Sequence, residues 1–592
     1  MPKNDLGKIR RSQIITSAGP GAIVDFRTDK GPVSGLSLGL EQWPPTPKSV
    51  IHEARLEKRL RVSEFRMPPA FLDGDPGRSF FLPAIRFPRW LQCPQCNHLK
   101  RYGQWGQDPG EPALYCVGCS TNKPKRVYTI PAPFVTACEK GHLDDFPWDY
   151  WLDHSTTCSG TKNLALKAEG TGGLAGLRLV CLSCGRSASM EGAFNPDALR
   201  RFGPCTGTRP WLPEAPAQSC DAQRRTLQRG SSNMYFPVIA SALDIPPWSD
   251  HIQQRLNRDW DRIQKFSEAD LREFIRLLRL HERVGLTEEE LFREIQRRKK
   301  IVEGASPTEL RFDEYRQLAV DVELPRDEGC EFEVRIETVP AEVRPWLRRL
   351  VRVLRLREVR VLRAFTRVRY PDPETREHLP EWAALSEAKL DWLPAVEVRG
   401  EGIFIELNPE RVATWSEGFL SRAEQINKAY CQDWARRQKG VAPPFEVSPK
   451  VLLVHSLAHA LIRQLSLECG YSAASLRERL YFDDACCGFL IYTAAPDSDG
   501  TLGGLARQGK ADSFVSTLEG ALQAQMWCAS DPLCITGVHS QSERASGAAC
   551  HACLLVSETS CEQFNRLLDR QTLVGSPDNP GLGFFTGSTL LK

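Results

Sequence analysis

The sequence predicts an α+β, multidomain chain, and three observations carry that reading. Ten of its 20 cysteines lie between Cys93 and Cys220, and five more lie between Cys528 and Cys561. The first of these stretches is loop-rich and sprinkled with Gly and Pro, the texture of small modules stapled by metal. Between the two clumps, apolar residues recur at three- and four-residue spacing, which reads as helix. The runs FEVRIETV and AVEVRGEGIFIEL alternate like half-buried strands. The expected architecture is therefore zinc-ribbon-like modules in the N-terminal third, a helical middle, and a mixed α/β C-terminal domain with its own cysteine zinc site.

Residues 1–92 are a mixed segment in which GPGAIVDF (Gly19 to Phe26) is a turn leading into a short strand, followed by a helical run over Lys48 to Glu64. Residues 93–235 are the cysteine-rich region. Residues 236–330 are helical, with runs at His251 to Phe266, Glu268 to His281 and Thr287 to Lys300. Residues 331–445 mix strand and helix and carry an Arg-rich run. Residues 446–592 begin with a helix over Lys450 to Cys469, pass through a strand (Cys487 to Ala494) and a Gly-rich loop, continue in a helix over Ser513 to Gln525, and close on the second cysteine clump.

At 592 residues and 41% hydrophobic content the chain buries sizeable cores, which excludes a disordered chain and a small disulfide scaffold. No run reaches the ~18 apolar residues of a membrane helix. The greasiest stretch, Val451 to Leu465, is broken by His455, His459 and Arg463. The N-terminal MPKNDLGKIRRSQ lacks an apolar signal core, so a cytoplasmic location is expected. There is no GxxxxGK[ST] loop, and no GxGxxG follows a strand. A self-contained P-loop ATPase is not expected.

Twenty cysteines in a reducing compartment point to metal ligands. The strongest pattern is Cys93-x2-Cys96 followed by Cys116-x2-Cys119. Each CxxC turn aims two thiolates at one point, and two such turns make a closed tetrahedral zinc site, with iron–sulfur ligation the lesser competitor. A second candidate is Cys181-x2-Cys184 with Cys205 and Cys220, in which Cys158 could replace a later ligand. A third is Cys138-x3-His142 with His154-x3-Cys158, where i, i+4 spacing sets two ligands on one helical face. The same segment, HLDDFPWDYWLDH, also suits an aromatic-rich packed core. The fourth is Cys528, Cys534, Cys550 and Cys553, with Cys561 as a spare and His551 pointing away. Together they predict two to four zinc ions per chain. The scattered Cys330, Cys431, Cys469, Cys486 and Cys487 read as core packing.

Two further features concern function. His455-x3-His459 on the helix VLLVHSLAHALIRQL could hold a metal with a carboxylate from Asp483, Asp484, Asp497 or Asp499. However, Ser456 stands where a zinc protease has its Glu. The alternative is a pair of hydrogen-bonded core histidines. In the Gly-rich piece Asp497 to Gly509, a helix N-terminus could hold an anion or simply be capped. From Ala341 to Tyr370, ten arginines face only Glu342 and Glu358, a local charge of +8 against +3 for the whole chain. Trp346, Leu350 and Val353/Leu354 suit a helix there, and Val359 and Val361 suit a strand. Arg349, Arg352, Arg355, Arg360, Arg363 and Arg367 are candidate contacts to a DNA backbone. The competing reading is a solvated face, or one paired with acids.

The segments RRSQIITSAGPGAIVDF, ACEKGHLDDFPW, RTLQRGSSNMYFP, LREVRVLRAFTR, HSLAHAL and CHACLLVSETSCEQFNRLLDR follow one another across nearly the whole chain. In that order they resemble the DrmB family, the DUF1998-bearing component of DISARM anti-phage defence systems. From HSLAHAL through Arg570 the chain is similar to DUF1998 itself, so the C-terminal domain is expected to be DUF1998-like. In those relatives the cysteines stand closer together. Here fifteen residues separate Cys534 from Cys550, which leaves the choice of four ligands open. The resemblance implies a non-catalytic subunit beside a SNF2-like, DrmA-like helicase. The complex would bind invading phage DNA, with a DNA methyltransferase of the same system as a further partner. It carries over no catalytic residue. The rival expectation is a metal-dependent nuclease or hydrolase built on the His455/His459 region.

Overall fold

A computed structural model describes residues 6–45, 49–70, 80–121, 123–154, 158, 163–170, 172–246, 256, 259–263, 265–284, 286–304, 309–321, 331–371, 382–437, 442–483, 485–493, 504–537 and 545–591. They form two compact units, each assembled from three stretches of chain. One contains Met1–Ile51, Val62–Ala240 and Val361–Val396; the other contains His52–Arg61, Ser241–Arg360 and Glu397–Lys592. The chain is α+β and multidomain, with cysteine clusters toward both its N-terminal and C-terminal ends.

The first unit is made of short strands. After the Gly19–Pro20–Gly21 turn, Ile23–Thr28 pairs antiparallel with Gly31–Ser37, which pairs in turn with Ala84–Arg86. Gly21 takes a left-handed φ of 83°, and a Cβ there would sit 2.4 Å from the Phe365 ring, so both conformation and space demand glycine. A six-stranded sheet runs in the order Ile130–Pro131, Trp90–Gln92, His98–Arg101, Leu164–Ala168, Leu177–Cys181, Ser187–Ser189. A three-stranded sheet places Phe134–Ala137 between Leu143–Asp145 and Arg225–Gln228. Phe134, Phe146, Trp148 and Trp151 pack with Leu164, Leu166 and Leu179 into one core. The aromatic-packing reading of HLDDFPWDYWLDH is thus met, with Phe146 and Trp148 rings 4.7 Å apart.

The second unit has longer elements. In its sheet, Trp392–Leu407 pairs antiparallel with Gly488–Thr493, which pairs with Leu476–Tyr481. Glu333–Glu337 lies antiparallel to Leu347–Thr366. The helix Pro449–Cys469 buries nearly one whole length against this sheet, with Leu453, Leu457 and Leu461 meeting Ile403, Ile405 and Phe489. Its start follows from Ser448, whose hydroxyl caps the Val451 N–H, and from Pro449 in the first turn; its end follows from left-handed Gly470. The helices Glu268–Leu277 and Glu288–Gly304 meet through Leu271, Ile275, Leu291, Phe292 and Ile295, as their spacing predicts. Among the described residues, no helix is long and apolar enough to cross a membrane.

The Arg-rich run corrects the expectation of a helix followed by a strand, because Leu347–Thr366 is one strand of 20 residues. Its second half is buried on both faces, from Val359 through Leu362 and again at Ala364 and Phe365. The misleading spacing lies in the first half, where Leu347, Leu350, Val351 and Val353 are buried and Arg348, Arg349 and Arg352 are not, so burial there departs from strict alternation.

Candidate metal centres

Among the described residues, four clusters of sulfur and imidazole ligands have all their donor atoms within 4.8 Å of one another. The first is Cys93, Cys96, Cys116 and Cys119, the set the spacing predicts. Cys93 follows strand Trp90–Gln92, and the turn back into His98–Arg101 closes with the Asn97 N–H donating to the Cys93 carbonyl at 2.9 Å. Asn97 is left-handed at φ 60°. Cys116 immediately precedes the short helix Val117–Ser120, which carries Cys119. Cys96 Sγ lies 3.8 Å from Cys116 Sγ. Leu91, Trp105, Leu114 and Val127 make a small apolar jacket around the thiols.

The second and third clusters exchange the partners that the sequence suggested. Cys205 and Cys220 join Cys138 and His142, while Cys181 and Cys184 join His154 and Cys158. This corrects both the Cys181/Cys184/Cys205/Cys220 set and the Cys138/His142/His154/Cys158 set. The pair Cys138 and His142 also does not lie on a helix. The two residues flank a hairpin turn, with the Cys138 N–H donating to the His142 carbonyl at 3.2 Å and left-handed Gly141 at the corner. A helical face and a tight hairpin both bring i and i+4 together, so spacing alone did not separate them. His142 Nδ1 lies 3.4 Å from Cys138 Sγ, and its Nε2 meets the Gln218 side-chain oxygen at 2.8 Å. That partner holds the proton on Nε2 and leaves Nδ1 free to ligate. The Cys205 and Cys220 loops approach so closely that a Cβ on Gly207 would stand 1.7 Å from the Gln218 carbonyl. In the third cluster, Cys181 and Cys184 turn between Leu177–Cys181 and Ser187–Ser189, with Cys184 Sγ 3.7 Å from His154 Nδ1.

The fourth cluster is Cys528, Cys534, Cys550 and Cys553, the preferred four of five. Cys528 Sγ lies 3.4 Å from Cys550 Sγ, and Cys534 Sγ 3.7 Å from Cys553 Sγ. Asp531 shapes the first loop: it accepts from the Cys528 and Ile535 N–H groups and pairs with Arg570. Arg463 of the helix Pro449–Cys469 donates to the carbonyls of His551, Ala552 and Leu555 and so fixes the CHAC turn. His551 is exposed and outside the cluster. Cys561 is not the spare of this cluster, because it lies beside His455 with its Sγ 3.2 Å from Nε2.

Electrostatics favour ligation. Hydrogen bonding from Cys138 draws the Cys205 thiol down to about 4 against the cost of burial. Hydrogen bonding from Cys534 likewise draws Cys553 down to about 5. In these two clusters one sulfur is drawn toward the thiolate form, and a dication would displace the remaining protons. Thiolate-rich sets with at most one imidazole fit zinc.

The other candidate residues lie elsewhere. Arg349 pairs with Glu406 and with Asp321 (2.6 Å), Arg352 with Glu337 (2.6 Å), and Arg360 with Glu358 (2.7 Å). Arg367 is wholly buried and donates to the carbonyls of Gly21, Met234 and Gly141. Arg363 sits over the Trp382 ring at 4.9 Å. Arg355 is the open one of the six, its side chain 61% exposed beside Glu333 at 3.8 Å. Arg360 and Arg367 are interior groups and have no route to a phosphate. The stripe's charge is largely met by carboxylates: Glu333, Glu337, Asp321 and Glu406 for its first half, and Asp244, Glu397 and Glu358 for Arg357 and Arg360. Of the proposed carboxylates for the histidine pair, Asp484, Asp497 and Asp499 lie outside the described residues, and the Asp483 carbonyl accepts from Lys450. The short helix Gly504–Gln508 is capped from within the fold, its Leu505 N–H donating to Glu401 at 2.8 Å. Cys330 also lies outside the described residues. Cys486 and Cys487 are buried, as core packing requires, while Cys431 and Cys469 are half-buried.

Sequence comparison agrees with this layout. Residues 10–236 match a domain of unknown function, DUF8724, and residues 457–554 match the MrfA Zn-binding domain. The fourth cysteine cluster falls within the second match. A DISARM protein DrmB of Bacillus paralicheniformis is 32% identical over 585 residues, covering 93% of this chain and 98% of that protein. With identity of that order over 93% of its length, the chain belongs to the DrmB family of DISARM proteins.

Proposed function

We propose that the chain is a zinc-stapled, non-catalytic subunit of a DISARM-type anti-phage complex. In this reading it partners a SNF2-like, DrmA-like helicase and helps it hold invading phage DNA, with a DNA methyltransferase of the same system as a further partner. The observation that carries the reading is the full-length kinship to a DISARM protein DrmB, joined to four preorganised thiolate clusters. Closed four-ligand sites organise a scaffold and leave no coordination position for a substrate. The proposed ligand sets are Cys93/Cys96/Cys116/Cys119, Cys138/His142/Cys205/Cys220, His154/Cys158/Cys181/Cys184 and Cys528/Cys534/Cys550/Cys553. That makes four zinc ions, the upper end of the expected range. Each set lies within one compact unit.

For DNA contact, the exposed Arg355 and the half-buried Arg363 are the candidates retained from the stripe. The test is to co-purify the chain with its helicase partner and measure DNA affinity against salt. A steep fall of affinity with salt, softened by Arg355→Glu with Arg363→Glu, is expected. DNA affinity of the complex unchanged by the double variant would leave the chain as a purely structural partner. Strand cleavage by the isolated chain, lost in His459→Ala with the fold and the metal of the four cysteine clusters retained, would favour the hydrolase reading instead.

A further inference from the structure

The histidine pair of the helix Pro449–Cys469 has companions that none of the sequence patterns revealed. Glu478, on strand Leu476–Tyr481, and Cys561 bring their donor atoms within 4.8 Å of the two imidazoles and of each other. His455 Nε2 lies 3.0 Å from His459 Nε2, 3.2 Å from Cys561 Sγ and 3.1 Å from Glu478 Oε1. His459 Nε2 lies 3.4 Å from Glu478 Oε2. The edges of a tetrahedron with zinc–ligand bonds of ~2.0–2.3 Å are about 3.3–3.8 Å, close to these separations.

We propose that His455, His459, Glu478 and Cys561 form a fifth metal site, a closed one that takes a borderline-soft divalent ion of the zinc class. Three features converge on it. The first is proton bookkeeping. His459 Nδ1 faces the Leu554 carbonyl at 2.8 Å, which holds the proton there and turns a bare Nε2 lone pair inward. The His455 Nε2 then meets three acceptors, an imidazole nitrogen, a carboxylate and a sulfur. A single proton serves one of them, whereas a metal ion serves all four donors at once.

The second is charge and burial. His455 and His459 are 0% exposed, Glu478 1% and Cys561 6%. One carboxylate and one thiolate with two neutral imidazoles carry two negative charges, which a divalent ion cancels in an interior where uncompensated charge is costly.

The third is the surrounding shell. Cys561 Sγ accepts from the Gln563 and Asn565 N–H groups at 3.3 and 3.2 Å, as a thiolate does. The turn that aims those two donors holds Phe564 and Asn565 at left-handed φ values of 52° and 59°. Asn565 locks the turn by exchanging hydrogen bonds with the Val556 backbone. Glu478 Oε1 accepts from the Glu562 N–H at 3.1 Å.

The mixed N, O and S donors suit zinc, with ferrous iron the nearest competitor. All four positions are protein ligands and buried, so the ion's role is to tie helix, strand and C-terminal loop together. The site touches its neighbour through Leu554, one residue past Cys553. The inference does not depend on DNA or helicase binding, and its test reads neither.

The test is metal analysis of the full-length chain, with cobalt(II) as a spectroscopic probe. His459→Gln and Cys561→Ser are each expected to lose one metal equivalent. Cys561→Ser should also lose a charge-transfer band of one thiolate, while Cys550→Ser with Cys553→Ser leaves that band in place. Folded variants that keep the wild-type metal count and spectrum would overturn the proposal. Where a variant fails to fold, anomalous diffraction at the zinc edge from wild-type crystals decides. A peak within bonding distance of the four donors is expected. Peaks at the cysteine clusters with none here would overturn the site.

Discussion

The two compact units solve the same problem by different means. In the first, the strands of the two cysteine-bearing sheets are two to five residues long, and three ligand clusters punctuate their turns. In the second, helices of 29 and 21 residues pack on long strands over a large apolar core, and buried ion pairs cross-link the sheet. Short hairpins bury too little apolar surface to be stable alone, so metal must supply what packing does not. Where packing suffices, a metal site has a narrower task of fixing a particular loop. The contrast teaches that cysteine clusters of one type are not equivalent: the same four thiolates support a whole module in one unit and a single terminal loop in the other.

Metal removal is the strongest way to break this comparison. Structural zinc contributes on the order of 10–16 kcal/mol to small metallo-domains. A strong chelator is expected to abolish amide protection across residues 90–228 while the helix Pro449–Cys469 and strand Gly488–Thr493 stay protected, as read by hydrogen exchange. Equal loss in both units would erase the distinction.

The second unit should instead fail through its buried charges. Glu358 is buried and pairs with Arg360, which with Arg477 and Arg479 holds the carboxyl down at about 2 although burial opposes it. The folded value lies below the ordinary 4.5. Its contribution is therefore present above pH ~4.5 and lost as pH falls toward ~2. Glu358→Gln leaves buried guanidinium groups uncompensated and should cost about 3–5 kcal/mol at neutral pH, measured by denaturant unfolding. The variant's stability should also fall less steeply than wild type over that acid window.

A smaller effect separates ligand from support within the first unit. Gln218→Ala removes the group that orients His142 and should weaken zinc at that cluster by roughly 10–100-fold, without affecting Cys93/Cys96/Cys116/Cys119. Competition with a chromophoric chelator measures it. The smallest effect belongs to the surface: Arg355→Ala should change stability by less than about 1 kcal/mol, because its partner Glu333 is at 3.8 Å and the side chain is exposed. In the helicase complex it should lower the salt slope of DNA binding by about one.

How much of this was legible follows from range. Cys93-x2-Cys96 and Cys116-x2-Cys119 were readable because a CxxC turn is local and almost dictates where its sulfurs point. Cys205 and Cys220 were not assignable, because their partners Cys138 and His142 stand more than sixty residues away and are chosen by sheet pairing. The Arg-rich run showed its charge openly but not its conformation; besides Glu358 of the same strand, its acids are Glu333, Glu337, Asp321, Asp244, Glu397 and Glu406, brought in from distant parts of the chain. Glu478 carried no signal at all, since a lone Glu in an alternating strand looks like any solvent-facing residue. The odd Cys561 beside an HxxxH helix was the one hint that a further donor was missing.

By itself, the order of residues determined the helices Glu268–Leu277, Glu288–Gly304, Pro449–Cys469 and Ala511–Gln523, the strands around Glu333–Glu337, Trp392–Leu407 and Gly488–Thr493, the presence of zinc-type turns, and, through motifs in a shared order, the family. These rest on local geometry and composition, which act over a few residues. Only the tertiary structure decided which turns face each other, which arginines are spent inside, and that two histidines, a glutamate and a spare cysteine meet. Those outcomes depend on how distant strands pack, and burial turns weak pairwise preferences into fixed positions.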